Sequence, residues 1–149
     1  MKKLYLILGA IVLALVVFGV YVKVEQSGPV LEDNSQSNLI HVTYPAPNDG
    51  IKSPIVVKGE ARGNWYFEAT FPIVIVDWDG KIIGQGQARA TSDWMTTNFV
   101  PFEGTITFTK PADIKAGTVN EHGAVIFKKD NPSGDPAKEA AVEIPVVFQ

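Results

Sequence analysis

The chain has 149 residues, with 13 Lys and Arg against 16 Asp and Glu, a formal net charge of −3. That length is a prior for one domain, and the charge supplies no basic field to draw in nucleic acid. The absence of cysteine excludes disulfides, thiolate metal sites, a cysteine nucleophile and a lipidated cysteine.

Residues 1–3 carry two lysines, and the run Leu4 to Val22, LYLILGAIVLALVVFGVYV, carries no charge. As a helix it would be ~28 Å long at ~1.5 Å per residue, close to the ~30 Å hydrocarbon core of a bilayer. Lys2 and Lys3 ahead of it place the N-terminus in the cytoplasm and the remainder outside. A cleaved signal peptide is the rival, but its apolar region is ~7–15 residues and ends at a small-x-small site. Here the run is longer and ends in bulky Phe18-Gly19-Val20-Tyr21-Val22. The expectation is therefore a single-pass, uncleaved signal anchor over residues 4–22, with an acidic extracytoplasmic part.

Lys23 to Asn38, KVEQSGPVLEDNSQSN, is polar and contains Gly-Pro, and reads as a flexible tether. Its r.m.s. span is roughly 22 Å on the square-root estimate.

From Leu39 to Gln149, strand-like runs alternate with turn signals. Leu39–Tyr44 comes first, then the turn-rich PAPNDGIKSP, then Ile55–Ala61. GNWYFEATFPIVIVDWDG follows, from Gly63 to Gly80. Its closing Asp79-Gly80 signals a hairpin, because a tight turn needs positive φ. Lys81–Ala90 returns from that turn, and GTITFTK, GAVIFKK and AVEIPVVF supply the last strands. The fold class is all-β, best fitted by an immunoglobulin-like β-sandwich of seven to eight strands. A small barrel is the alternative.

Alternation along a strand puts Trp65, Phe67, Ala69, Phe71, Ile73 and Ile75 on one wholly apolar side, which must face the core. Tyr66, Glu68, Thr70, Pro72, Val74, Val76 and Trp78 fall on the other. Pro72 lacks an N–H and marks an edge, bulge or bend. Tyr66, Glu68 and Trp78 are candidates for a contact surface. The stretch Ser92 to Phe102, SDWMTTNFVPF, has no clean alternation. It reads as a loop plugging one end of the sandwich with Trp94, Met95, Phe99 and Phe102. Alternatively, Asp93 and Trp94 join Tyr66 and Glu68 in a surface groove.

Little in the sequence suggests chemistry. His41 and His122 each sit in a strand-like run with no nucleophile at a telling spacing. Glu68 with Asp93 is a weak candidate for a glycosidase-like carboxylate pair. DWDG lacks the remaining ligand positions of a calcium loop. Asp130–Pro136 is a turn-rich loop, and Gly84-x-Gly86 lacks the third glycine and helix of a phosphate loop. No enzyme, cofactor or metal is expected.

Several pieces together resemble a known family. They are G-N-W-Y-F-E-A-T-F-P, D-x-D-G-K-I-I-G-x-G-x-A, S-D-W-M-T-x-N-F-V-P-F, F-K-K-D-N-P-S-G and E-I-P-V-V-F. They are similar to the immunoglobulin-like domain of bacterial spore-germination and sporulation proteins, from about Ile40 to Phe148. The matching positions are Trp65, Phe67, Glu68, Phe71, Trp94, Met95, Phe99 and Phe102. The resemblance implies a sandwich on the outer side of a bacterial membrane and no catalytic role for these residues. The expected function is a membrane-anchored binding or adaptor module of the cell envelope, with an envelope protein or cell-wall glycan as partner. The alternative is a structural spacer whose transmembrane helix makes the functional contact.

Overall fold

The computed structural model describes residues 38–149. The expected anchor over 4–22 and most of the tether lie outside the described residues. Among the described residues no helix is long and apolar enough to cross a membrane.

Eight strands form the domain: β1 (Ile40–Tyr44), β2 (Asp49–Ile51), β3 (Ile55–Arg62), β4 (Thr70–Asp77), β5 (Ile82–Ala90), β6 (Phe99–Ile106), β7 (His122–Lys128) and β8 (Ala141–Phe148). They join in one curled sheet of order β1-β3-β6-β5-β4-β7-β8-β2. All neighbours are antiparallel except β2 and β8. The β2 strand lies in the segment expected to be only a turn.

The curl has a local cause. The β5–β6 ladder has only two paired positions, Arg89↔Glu103 and Ala90↔Phe102, so β5 folds over the β1-β3-β6 half. The G-Q-G-Q-A run of β5 permits this approach. A Cβ on Gly84 would lie 2.6 Å from Cβ of Phe108, closer than two carbons can pack.

Alternation governs what is enclosed. On β6, Val100, Phe102, Gly104 and Ile106 point inward while the residues between them are half-buried or exposed. On β4, Phe71, Ile73 and Ile75 are fully buried. Edge-on aromatic contacts run through the core, from Trp65 to Phe71 (6.3 Å between centroids), Tyr66 to Phe71 (5.3 Å) and Phe71 to Phe102 (4.9 Å). Each such pair contributes about 0.5–1.5 kcal/mol beyond area burial.

The strand prolines sit where pairing is incomplete. Pro72 pairs with Gln87 of β5, but the β7 ladder stops one residue on, at Ile73. Pro72 is thus edge-like on its β7 side, while β4 itself is continuous from Thr70 to Asp77. The Pro101 carbonyl accepts from Thr91 N–H, so its nitrogen faces the short β5–β6 ladder and not β3. That arrangement lets Phe99–Ile106 be a strand. The expected loop over Ser92–Phe102 therefore ends before Phe99, and the strand expected at Gly104 starts five residues earlier.

Register gives the domain two ends. Chain entry at Ile40, the 63–69 and 91–98 segments and the start of β8 lie at one end. The 78–81 turn, the 107–121 segment and the C-terminal Phe148 lie at the other. The eight residues of β4 separate the two ends by roughly 26 Å at ~3.3 Å per residue.

Candidate functional site at the Trp78 end

The Gly63–Gly80 stretch does not follow one strand frame. Gly63–Trp65 forms a 3₁₀ turn, held under the 91–98 loop. A Cβ on Gly63 would lie 1.9 Å from the Thr96 carbonyl oxygen. A two-residue hairpin turn follows, with Phe67 and Thr70 exchanging both backbone hydrogen bonds at 3.0 Å. Its central residues, Glu68 and Ala69, have φ of 48° and 62°, the paired positive values of a type I′ turn.

This geometry corrects four expectations. Tyr66 is buried, not on the surface, and its hydroxyl donates to the Val100 carbonyl at 2.7 Å. Burial pushes its phenol above the usual range. Phe67 is not core but 43% exposed, because the 3₁₀ turn resets the alternation before it. Met95 does not plug the end and is 77% exposed. Phe99 is half-buried on the outer face. It stacks on His41 at 4.4 Å and 22°, and the Arg62 guanidinium carbon lies 4.0 Å from its ring centre. Sequence reasoning missed this cluster, in which Glu60 Oε1 also accepts a hydrogen bond from His41 Nδ1 at 3.0 Å. It becomes visible only once the Arg62↔Phe99 and His41↔Glu60 registers are known.

Trp65, Phe71 and Phe102 are buried. Trp94 is half-buried against the core. Glu68 is exposed at its turn. Asp93 is exposed, and its Oδ1 accepts Met95 N–H at 3.0 Å, which makes it a local loop clasp. Trp78 lies at the opposite end of β4 from all of these. The five candidate surface residues thus form no single site.

Trp78 is the candidate with the most exposed aromatic area, at 50%. It sits within the loop 78–80, closed by Asp77 N–H donating to the Lys81 carbonyl at 3.0 Å. Asp77 Oδ1 braces the loop by accepting from Asp79 N–H at 3.1 Å and Lys81 N–H at 2.9 Å. Gly80 supplies the left-handed residue, φ 78°. The turn centre is therefore Trp78-Asp79, with Gly80 third, one position earlier than a two-residue Asp79-Gly80 turn.

The tip forms a ridge between two grooves. One, of about 420 Å³, runs past Trp78, Val119, His122, Ile126 and Glu143. The other, also about 420 Å³, runs past Lys81, Ile82, Thr109 and Lys110. Ile82 and Val119 are 57% and 65% exposed. Val74 and Val76 on the outer face of β4, and Ile126 beside them on β7, are only half-buried. Apolar groups thus occupy both faces of β4. This is the pattern of a strand covered on both sides, yet one side is open here. Exposed apolar groups grouped this way, with a polar surround, mark contact surfaces.

Two hollows of about 530 Å³ lie elsewhere. The one by Pro72, Lys128, Lys129 and Glu139 has only a proline and alanines as apolar lining. The other lies by Tyr44, Lys52, Val56 and Lys58. Neither contains an exposed tryptophan. Among the described residues no group of three or more His, Asp or Glu could hold a metal ion.

The model for the immunoglobulin-like domain of bacterial spore germination matches residues 39–122, more than half of the chain. The chain belongs to this family. The match spans β1 to β6 and reaches the start of β7, so it takes in Trp78, Ile82 and Val119. Ile126 and Glu143 lie beyond it. The all-β curled sheet agrees with an immunoglobulin-like domain. No curated protein matches the chain.

Proposed function

We propose that this protein is a germination-related binding module of the bacterial envelope, held at the membrane by residues 4–22 and displayed outside the cytoplasm. Its contact surface is the Trp78 end. The observation that supports this is a half-exposed tryptophan beside an open apolar strip of Val76, Val119 and Ile126. A Trp anchor with an apolar floor and a polar rim is the usual make-up of an interface hot spot. This end is also the one remote from chain entry at Ile40.

The test is capture of envelope material by the full-length protein and by its Trp78→Ala variant. Loss of a captured protein upon substitution, with the fold intact by circular dichroism, supports the reading. Loss of binding to isolated wall glycan instead makes the partner a saccharide. Unchanged capture of both rejects the Trp78 end. Replacing residues 4–22 with an unrelated membrane helix checks the spacer alternative, in which function would then be lost.

A further inference from the structure

The two grooves beside the Trp78 ridge differ in charge. Asp77 borders both grooves, and the Trp78 groove adds Glu143 and His122. Glu121 lies outside the groove lining and pairs with His122, with 3.8 Å between Oε1 and Nε2. The Ile82 groove carries Lys81 and Lys110. Neither lysine, nor Glu143, has an ion-pair partner among the described residues. With Asp77 common to both, the flanks differ by the Glu143 carboxylate on one and two lysines on the other, which makes the relief self-complementary.

Resting on the reading that the Trp78 end is a contact surface, we infer that its occupant is a second copy of this chain. A two-fold axis beside the ridge sets the ridge of each copy in the Trp78 groove of the other. The same rotation carries the far side of that groove, with Glu143, over the partner's Ile82 groove. Glu143 then meets Lys81 and Lys110, twice, as an isologous contact requires. Both grooves are filled, and the two Trp78 side chains lie close to the axis. Val119 and Ile82, the apolar groups of the two flanks, are covered together. The alternative packing, basic flank on basic flank, sets Lys81 and Lys110 against their own copies, and like-charge contacts are disfavoured.

The chain's lack of cysteine makes the test direct. Full-length protein in membranes carries Asp79→Cys at the ridge tip, or Met95→Cys at the opposite end as control. A short bis-maleimide is applied. The dimeric arrangement gives a crosslinked pair from D79C and little from M95C. Adding Lys110→Glu, or adding Glu143→Lys, should each lower the D79C yield roughly tenfold, since like charges then face each other. Co-expressing the two differently tagged variants should restore the crosslink selectively between them, because both contacts become opposite-charge again. Equal crosslinking from M95C, no crosslink from D79C, or charge variants without effect would each overturn the inference. If D79C gives no pair while W78A still loses an envelope partner, the surface is right and its occupant is another protein.

Discussion

The most informative single substitution for the local structure is Ala69→Gly. Ala69 has φ of 62° and no requirement for its methyl group is apparent, since it is half-buried at a turn. An L-residue in the left-handed region costs roughly 1–2 kcal/mol relative to a right-handed one. Glycine removes that cost but adds about 0.4–1 kcal/mol of unfolded-state entropy. The difference is a stabilisation of about 0.5–1 kcal/mol, and the Ala90 N–H to Ala69 carbonyl bond of 2.8 Å is retained. For a domain of this size that is roughly 2–5 °C in melting temperature. The assay is thermal unfolding by circular dichroism, with chemical unfolding as a second measure. A destabilisation of about 1 kcal/mol or more would refute the turn geometry. It would mean that residue 69 lies in an extended strand, as plain alternation suggested. Ala69→Val is the complementary change and should cost about 1 kcal/mol or more, because a β-branched residue is least tolerant of positive φ.

Other consequences follow from burial. Trp65→Ala should cost about 3–5 kcal/mol by cavity formation, whereas Phe67→Ala and Met95→Ala should stay within about 0.5 kcal/mol, all read by denaturant midpoints. Tyr66→Phe should cost about 0.5–1.5 kcal/mol through its bond to Val100. The buried Tyr66 phenol also sets a pH dependence. Its folded-state ionisation lies above the ordinary 10.0, so the folded state holds a proton that the unfolded state releases. The stabilisation is complete below about pH 10 and falls as pH rises beyond it, by up to ~1.4 kcal/mol per pH unit for one proton. Tyr66→Phe should flatten this part of the stability curve, and an unchanged slope would contradict the burial. Gly84→Ala should destabilise the domain or shift β5 away from Phe108 by the same unfolding measure, because no room exists for the added carbon.

How much of this was legible beforehand depended on local periodicity. From Phe71 to Ile75 the period-two pattern identified the buried side, and Asp79-Gly80 marked the hairpin. A few residues earlier, at Tyr66 and Phe67, the same rule fails. Trp65 lies in a 3₁₀ turn and Glu68-Ala69 in a tight turn, and neither residue pair resembles the Asn-Gly that usually signals such a turn. Two resets of the alternation placed Tyr66 inside and Phe67 outside, the reverse of the simple reading. Pro101 concealed the first half of β6, since its effect depends on which side of the strand lacks a partner. Trp78 was legible as an outward residue. Its grooves were not, because Val119, Lys110 and Glu143 reach it from segments 30 or more positions away. That Glu143 lies on one flank and Lys81 and Lys110 on the other required the sheet order.

The Trp78 end, and not the Phe67–Met95 end, is the one proposed to meet a partner. In-cell photo-crosslinking addresses it with one measurement. A photoreactive phenylalanine analogue is placed at position 78 or 119 in one set of strains, and at 67 or 95 in another, each in the full-length chain. All four side chains are exposed, so reach to solvent is matched. Discrete adducts are expected from 78 and 119 and none from 67 and 95. Discrete adducts from 67 and 95 alone would contradict it.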